Sequence, residues 1–301
     1  MRKWLIALAA GVWVTAALAS SASAASLPVI YNGAYGYSHV SSTASPPGAN
    51  HWSCKPTAAH PRPVVLVHGT FGDMSDSWQA LSPLLYDHGY CVFALNYGSY
   101  HGSGSFGVYA TGPIGNSAAE LASFVDRVLA STRASQVDIV GHSQGGMTPR
   151  YYMKFLGGAS KVHTLVGLAP SNHGTTLDGL FTLAQHFPGA TTALADCPAC
   201  TEQEAGSSFM TKLNSPRDTL PGVGYTVIES ANDEVVTPYQ SAFLTGPGVD
   251  NITLQTQCAL DQGEHLSMPY DHIADADVLT ALDPQHPVSP ACTPVAPVIG
   301  G

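Results

Sequence analysis

The stretch Val137-Asp138-Ile139-Val140-Gly141-His142-Ser143-Gln144-Gly145 carries an apolar run directly into a G-x-S-x-G pattern. The apolar run predicts a buried strand, and residues 144–156 have the pattern of a helix. Ser143 therefore lies on a sharp strand-to-helix turn, which projects its hydroxyl group from the edge of a sheet. The two glycines leave room where strand and helix approach, and the helix N-terminus offers N–H groups to a developing anion. We predict that Ser143 is a nucleophile.

Outward from this turn, from Pro63 onward, short apolar runs alternate with helical patterns, as in a parallel sheet with crossover helices. The predicted strands are residues 64–67, 91–95, 137–140, 162–168, 224–228 and 252–256. The predicted helices are residues 77–88, 117–131, 144–156 and 271–282, and Ser117 with Glu120 forms a capping box at the second of them. A strand, G-x-S-x-G turn and helix in this setting predict an α/β-hydrolase fold, with a mostly parallel central sheet flanked by helices.

The first residues have the pattern of a secretory signal peptide. Arg2 and Lys3 precede an apolar run over residues 4–18, and Ala22-Ser23-Ala24 fits a cleavage site. The run is shorter than the roughly 20 residues that span a bilayer. We predict a signal peptide over residues 1–24 and a secreted protein.

Residues 25–301 are long enough for one large α/β core, so we expect a single domain. The stretch 171–221 interrupts the alternation of strands and helices and is too long for a plain connection. We interpret it as a small cap or rim over the site. Its apolar residues suit either an acyl chain or the packing of a cap helix; they are Leu177, Leu180, Phe181, Leu183 and Phe187.

The charge of the chain excludes some classes of partner. The formal net charge is −10, and it becomes −12 when Arg2 and Lys3 leave with the signal peptide. Such a protein does not bind nucleic acid or anionic membranes by charge. The 13 histidines show no metal-ligand spacing. We expect no metal, no cofactor and no nucleic-acid partner, and we expect a monomer.

A serine nucleophile needs a base, and the base needs an acid to orient it. In this fold the acid follows a late strand and the histidine comes after it. Asp233 lies in the loop just beyond the strand that ends near Glu229, and Glu234 is the alternative. His265 precedes the last helix and is the predicted base.

The oxyanion formed during acyl transfer needs two N–H donors. Gln144, directly after the nucleophile, supplies one. The loop after the first strand, His68-Gly69-Thr70-Phe71-Gly72, supplies the other, with Thr70 as the candidate and Phe71 as the alternative. For the base, two further histidines remain as alternatives: His272 at the start of the last helix and His286 in a proline-rich tail.

Six cysteines lie beyond the signal peptide, and an even number in an exported protein favours disulfides. The sequence leaves 15 pairings open. Cys197-Pro198-Ala199-Cys200 has the spacing of a redox motif, but no thioredoxin-like pattern surrounds it, so we interpret it as a local disulfide in a loop.

Four stretches together resemble the secreted bacterial class 2 triacylglycerol lipases and are similar to the fungal lipase B family: Val67-His68-Gly69-Thr70, Gly141-His142-Ser143-Gln144-Gly145-Gly146, Asn232-Asp233-Glu234-Val235-Val236 and Glu264-His265. The resemblance covers residues 54–282 and departs over residues 171–221, where an acyl pocket would be shaped. It implies Ser143, Asp233 and His265 as triad, with Thr70 and Gln144 as oxyanion donors and the Thr70 hydroxyl as a further donor.

The same resemblance implies three disulfides, Cys54–Cys91, Cys197–Cys200 and Cys258–Cys292. We therefore expect a lipase or carboxylesterase that works through an acyl-enzyme on a small-molecule or lipid ester, with a lipid–water interface as one place of action. The same residues would also serve a polyester or cutinase-like hydrolase or an acyltransferase. A binding protein of this fold and a metal-dependent hydrolase are the remaining alternatives.

Overall fold

The computed structural model describes residue 1 and residues 26–39 and 41–301. The predicted signal peptide and its cleavage site lie, apart from Met1, outside these residues. Among the described helices, none is both long and apolar enough to cross a membrane.

A six-stranded parallel sheet runs through the described residues in the order β2-β1-β3-β4-β5-β6. The strands are β1 Val64–Val67, β2 Val92–Leu95, β3 Val137–His142, β4 Val162–Leu168, β5 Gly224–Glu229 and β6 Val249–Thr253. The inner strands are nearly continuous runs of buried residues, as expected where helices cover both faces. The predicted parallel sheet is confirmed.

The prediction for the last strand was wrong in its bounds, because β6 begins and ends three residues earlier than predicted. β6 ends at Thr253, and Leu254–Gln257 form a short helix where the prediction continued the strand. β6 is an edge strand whose side chains are exposed or half-buried, so the apolar pattern that marks the inner strands is absent.

Ten α-helices lie in the described residues. They are α1 Gly33–His39, α2 Leu81–Asp87, α3 Ile114–Thr132, α4 Gln144–Phe155, α5 Leu177–Ala184, α6 Ala190–Ala193, α7 Pro198–Glu202, α8 Ser208–Asn214, α9 Leu254–Gln257 and α10 His272–Leu282.

Two predicted helix starts were wrong. α3 begins at Ile114, so Ser117 lies inside the helix and Glu120 accepts the Gly98 N–H at 3.1 Å rather than closing a capping box. α2 begins at Leu81 rather than at residue 77. Ahead of α2, the Asp73 carboxylate accepts the N–H groups of Ser75 and Asp76, at 2.7 and 2.9 Å, and such local bonds hold the chain in a turn.

The sheet separates two apolar layers. Alternate residues of β1 point to opposite faces: Val64 and Leu66 pack with α2 and α10, whereas Val65 and Val67 pack with α3. Both faces of the strand are thereby removed from water, which stabilises the sheet beneath the turn that carries Ser143.

Three disulfides join Cys54 to Cys91, Cys197 to Cys200 and Cys258 to Cys292, the pairs that the resemblance implies. The first ties the N-terminal arm to the residue before β2. Asn50 in the same arm binds both backbone groups of Ala94, at 3.0 Å to its N–H and 2.9 Å to its carbonyl oxygen. This side chain satisfies backbone groups at the open edge of the sheet.

Residues 171–221 connect β4 to β5 and contain α5, α6, α7 and α8. Thr176 caps α5 by accepting the Gly179 N–H at 3.0 Å. Leu180 and Leu183 are buried against Phe71 and Met147 of the body, whereas Leu177 and Phe181 are 50% and 53% exposed. Leu180 and Leu183 therefore pack α5 against the rest of the domain, and Leu177 and Phe181 present apolar surface to solvent.

Candidate active site

Ser143 lies between β3 and α4 with φ 55° and ψ −123°, a conformation that costs energy for a residue with a side chain. Its N–H donates to Leu168 O at 2.9 Å, which fixes the turn on β4. A Cβ at Gly141 would lie 1.9 Å from Gly145 O, and one at Gly145 would lie 2.0 Å from Val67 O. Only glycine allows this approach, so the G-x-S-x-G spacing is a packing requirement.

We expect Gly145→Ala to lower the free energy of unfolding by more than about 4 kcal/mol, because the added methyl group overlaps backbone rather than a movable side chain. Denaturant unfolding and soluble yield would measure this. Gly115→Ala in α3 is the matched control, since its nearest atom is 3.4 Å away, and it should change stability by less than about 1 kcal/mol. Wild-type stability of Gly145→Ala would contradict this account of the turn.

The structure brings Asp233 and His265 together from two loops that follow β5 and α9. His265 Nδ1 lies 2.8 Å from Asp233 Oδ2, and both side chains are fully buried. Because the carboxylate only accepts, Nδ1 carries the hydrogen and Nε2 keeps its lone pair. Nε2 has no hydrogen-bond partner among the described residues, Ser143 included. The acid–base contact is formed, and the base–nucleophile hydrogen bond is not.

Charge and hydrogen bonds set the protonation of this pair. Burial raises the pKa of Asp233, but the His265 charge and hydrogen bond, with the N–H groups of Val236 and Val235, bring it below its usual value. Burial lowers the pKa of His265, yet the charge and hydrogen bond of Asp233 outweigh this and raise it above 6.5. The pair stabilises the imidazolium form that a general base becomes.

The alternative histidines lie elsewhere. His272 begins α10 and lies 2.9 Å from Ala291 O, in contact with the C-terminal segment. His286 binds Asp283 at 2.9 Å. It lines a groove together with Asp138 and Gly224, which lie at the N-terminal ends of β3 and β5, whereas Ser143 follows the C-terminal end of β3.

Glu234, the alternative acid, is exposed beside the pair rather than bonded to His265. Although the residue is exposed as a whole, its carboxyl group loses part of its hydration beside Glu264, and this desolvation and the Glu264 carboxyl group raise its pKa to about 8.

The two residues predicted as oxyanion donors, Thr70 and Gln144, are in contact through their side chains. Gln144 is the first residue of α4, where an N–H has no partner within the helix. Phe71 donates its N–H to Tyr109 O at 3.0 Å, so this alternative donor is already used. The Thr70 hydroxyl accepts from Gln144 Nε2 at 2.9 Å and from Gln203 Nε2 at 3.0 Å. Since both bonds use its oxygen as acceptor, its own hydrogen is left to donate.

Sequence reasoning missed three residues that contact these groups. His142 Nε2 lies 2.8 Å from His265 O, and burial lowers the pKa of His142 to about 3, so the neutral ring donates to that carbonyl. Glu264 accepts the N–H groups of Leu266 and Val298, at 2.8 and 2.6 Å, and so holds the base loop.

Gln203, between α7 and α8, is the third. These contacts join residues far apart in sequence, and only the charged Glu264 beside the predicted base could have signalled one.

Within the described part of the chain, no group of three or more His, Cys, Asp or Glu side chains is arranged to hold a metal ion.

Comparison with known proteins identifies the family and the fold. The model of the class 2 lipase family matches residues 61–268. Two curated triacylglycerol lipases, from Pseudarthrobacter phenanthrenivorans and Burkholderia plantarii, are each 36% identical to the chain over 99 residues. The aligned part is 31% of this chain and only 28% and 25% of those relatives, so it spans about a quarter of their length.

Solved structures share the fold. Aspergillus fumigatus lipase B aligns with a TM-score of 0.58 and 20% identity, over 81% of this chain and 56% of its own. The mature Bacillus licheniformis lipase BlEst2 aligns with a TM-score of 0.56 and 17% identity, over 75% and 94% of the two chains. The predicted α/β-hydrolase fold is confirmed.

Proposed function

The chain belongs to the class 2 lipase family, and on that premise we propose that it is a secreted ester hydrolase that forms an acyl-enzyme at Ser143. The contact that carries the proposal is the 2.8 Å hydrogen bond from His265 Nδ1 to Asp233, which leaves Nε2 as a free base. A serine on a strained turn, a base with a free lone pair and two oxyanion donors are the parts that acyl transfer requires.

In the proposed reaction, His265 Nε2 takes the Ser143 proton as the hydroxyl oxygen attacks the ester carbonyl. The N–H groups of Thr70 and Gln144, with the Thr70 hydroxyl, stabilise the oxyanion. His265 then gives the proton to the leaving alcohol, and the acyl-enzyme remains. A water molecule, activated by the same base, releases the acid and restores Ser143.

Rates on p-nitrophenyl esters of increasing acyl length test the substrate class. Exposed Leu177 and Phe181 on α5 suit a long acyl chain at a lipid–water interface, so we expect octanoyl and longer esters to be preferred. A preference for acetyl and butyryl esters would instead indicate a carboxylesterase. Hydrolysis of a polyester film, or acyl transfer to an added alcohol, would identify the related activities. No hydrolysis of any ester would overturn the proposal and favour a binding protein.

Secretion and a single-domain monomer belong to the same proposal. The signal-peptide pattern of residues 1–24 and three disulfides support export, because such bonds persist in oxidising compartments. Recovery of the protein from culture medium with Ala25 as its first residue would test export and cleavage together. Light scattering would test the monomer.

We expect Thr70→Val to lower kcat by about 100-fold with little change in KM, because the hydroxyl acts on the oxyanion rather than on the bound ester. Valine keeps the shape and the backbone N–H. Thr70→Ser restores the hydroxyl and should recover most of the rate. An unchanged kcat in Thr70→Val would remove the hydroxyl from the mechanism. Thermal unfolding of both variants controls for loss of the bonds from Gln144 and Gln203.

We expect activity to fall on the acid side with a midpoint above pH 6.5. His265 must be neutral to accept the Ser143 proton, and Asp233 raises the pKa of its ring above that value, so protonation disables the base at a higher pH than in a free imidazole. The profile of kcat/KM, measured from released acid, reports this pKa. A midpoint below pH 6.5 would contradict the assignment of His265 as the base.

A further inference from the structure

Glu229, the last residue of β5, is a fully buried carboxyl group that the proposed reaction does not use. The ion pairs of the described residues include none with Glu229. An isolated buried carboxylate is costly, and such a group takes up a proton instead.

The surroundings of Glu229 favour the protonated form. Its Oε1 accepts the Ser230 N–H at 2.8 Å, whereas Oε2 is a buried oxygen with no hydrogen-bond partner within the described part of the chain. The Asp233 N–H donates to Ser230 O at 3.2 Å, which turns the chain back at the end of β5, next to Glu229. Burial and the charge of the nearby Asp233 raise the pKa of Glu229 well above its usual value. Because an Asp233 carboxylate only accepts, a hydrogen shared by the two carboxyl groups belongs to Glu229.

Asp233 has room for such a donor. Its Oδ1 accepts the N–H groups of Val235 and Val236, at 2.7 and 2.8 Å, and its Oδ2 accepts from His265. A carboxylate offers about four acceptor positions, so a fourth bond completes it. The turn from Glu229 to Asp233 is also tied to the base loop, because the Ser230 hydroxyl donates to Gly263 O at 2.6 Å.

We propose that Glu229 is a positioning residue for the acid of the catalytic site: its protonated carboxyl group donates a hydrogen bond to Asp233 and fixes the carboxylate that orients His265. The inference rests on the proposed function, since it assigns Asp233 and His265 their roles. Glu229 touches neither substrate nor reacting atoms and acts through Asp233.

The bond from Glu229 also limits how strongly Asp233 holds a proton on His265. A donor to Asp233 offsets part of its negative charge, so removing it strengthens the attraction to the imidazolium and raises the pKa of His265. The other titratable groups that face this pair are Glu234, Glu264 and His142. None of them takes the place of Glu229, because the Glu234 carboxyl group lies near Glu264 and the His142 ring binds the His265 backbone.

Two substitutions of Glu229 test whether the hydrogen bond that it donates to Asp233 matters. Glu229→Gln keeps a donor of similar shape, and Glu229→Met keeps the bulk without a donor. Glutamine can accept from Ser230 and donate to Asp233, so we expect wild-type kcat/KM and an unchanged acid midpoint. Methionine fills the space without donating, and we expect kcat/KM to fall about tenfold or more, with the acid midpoint moved to higher pH. Asp277→Asn, at another buried acid in α10, is the control and should leave the profile unchanged.

Wild-type behaviour of Glu229→Met would overturn the proposal, as would equal losses in both Glu229 variants. A second measurement does not depend on turnover or on the folding of the methionine variant. Infrared spectra of Ser143→Ala and of the double variant Ser143→Ala/Glu229→Gln would be compared at neutral pH. We expect the single variant to show the C=O band of one protonated carboxyl group that the double variant lacks. Absence of that band would also overturn it. If the band is present and wild-type protein hydrolyses no ester, the proposed function has failed rather than the protonation of Glu229.

Discussion

Ser143→Ala is expected to lower kcat for ester hydrolysis by about 10⁴- to 10⁶-fold, the largest loss of any single substitution in this protein. Alanine removes the hydroxyl oxygen that forms the acyl bond and keeps the turn at φ 55°. The proposed oxyanion donors at Thr70 and Gln144 are unchanged, so any residual rate reports binding and oxyanion stabilisation alone. Steady-state rates on the preferred p-nitrophenyl ester measure the loss.

Ser123→Ala provides the matched control. Ser123 is an exposed serine of α3 whose hydroxyl donates only to the Ala119 carbonyl of its own helix, at 3.0 Å. Its replacement should leave the rate within about twofold, because surface substitutions rarely disturb a fold. Equal rates in wild type and Ser143→Ala would exclude the elbow serine as the nucleophile.

Asp233→Asn is expected to lower kcat by about 10⁴-fold with the fold intact. An amide at this position can donate to His265 Nδ1, which would move the ring hydrogen to Nε2 and remove the lone pair that accepts the Ser143 proton. The loss should therefore appear in kcat more than in KM. Rates on the same ester, with thermal unfolding to verify the fold, measure it.

Glu234→Gln distinguishes the two acids of this loop. Glu234 is exposed, and His265 Nδ1 is bonded to Asp233 instead, so neutralising Glu234 should change kcat by less than about fivefold. If Glu234→Gln lost as much rate as we predict for Asp233→Asn, and Asp233→Asn lost little, the acid would be Glu234.

The local pattern of apolar residues was sufficient to predict the central strands of the sheet, but not the edge strand or the helix ends. β4 matches its prediction because Val162–Leu168 is buried almost throughout and four of its seven residues are Val or Leu. β6 was displaced because an edge strand lacks that pattern. The start of α3 was placed late because Ser117 and Glu120 have the spacing of a capping box, whereas the helix begins directly after Pro113.

The residues that hold the candidate site could not be predicted in the same way. Each acts through a contact between distant segments, as where Ser230 donates to Gly263 or Gln203 donates to Thr70. The spacing of residues along the chain does not predict such contacts. Glu229 did carry a local sign, a charged residue that ends an otherwise apolar strand, but its meaning depends on Asp233 lying beside it.

Covalent capture of the nucleophile tests the central claim most directly. Wild-type protein would be incubated with a p-nitrophenyl alkylphosphonate, which transfers its phosphonyl group to an activated serine, and then digested and mapped by mass spectrometry. We predict one adduct per chain, on Ser143, formed in step with the loss of ester hydrolysis and strongly slowed in Asp233→Asn. Full inhibition with the adduct on another residue, or continued hydrolysis with Ser143 fully modified, would contradict the account.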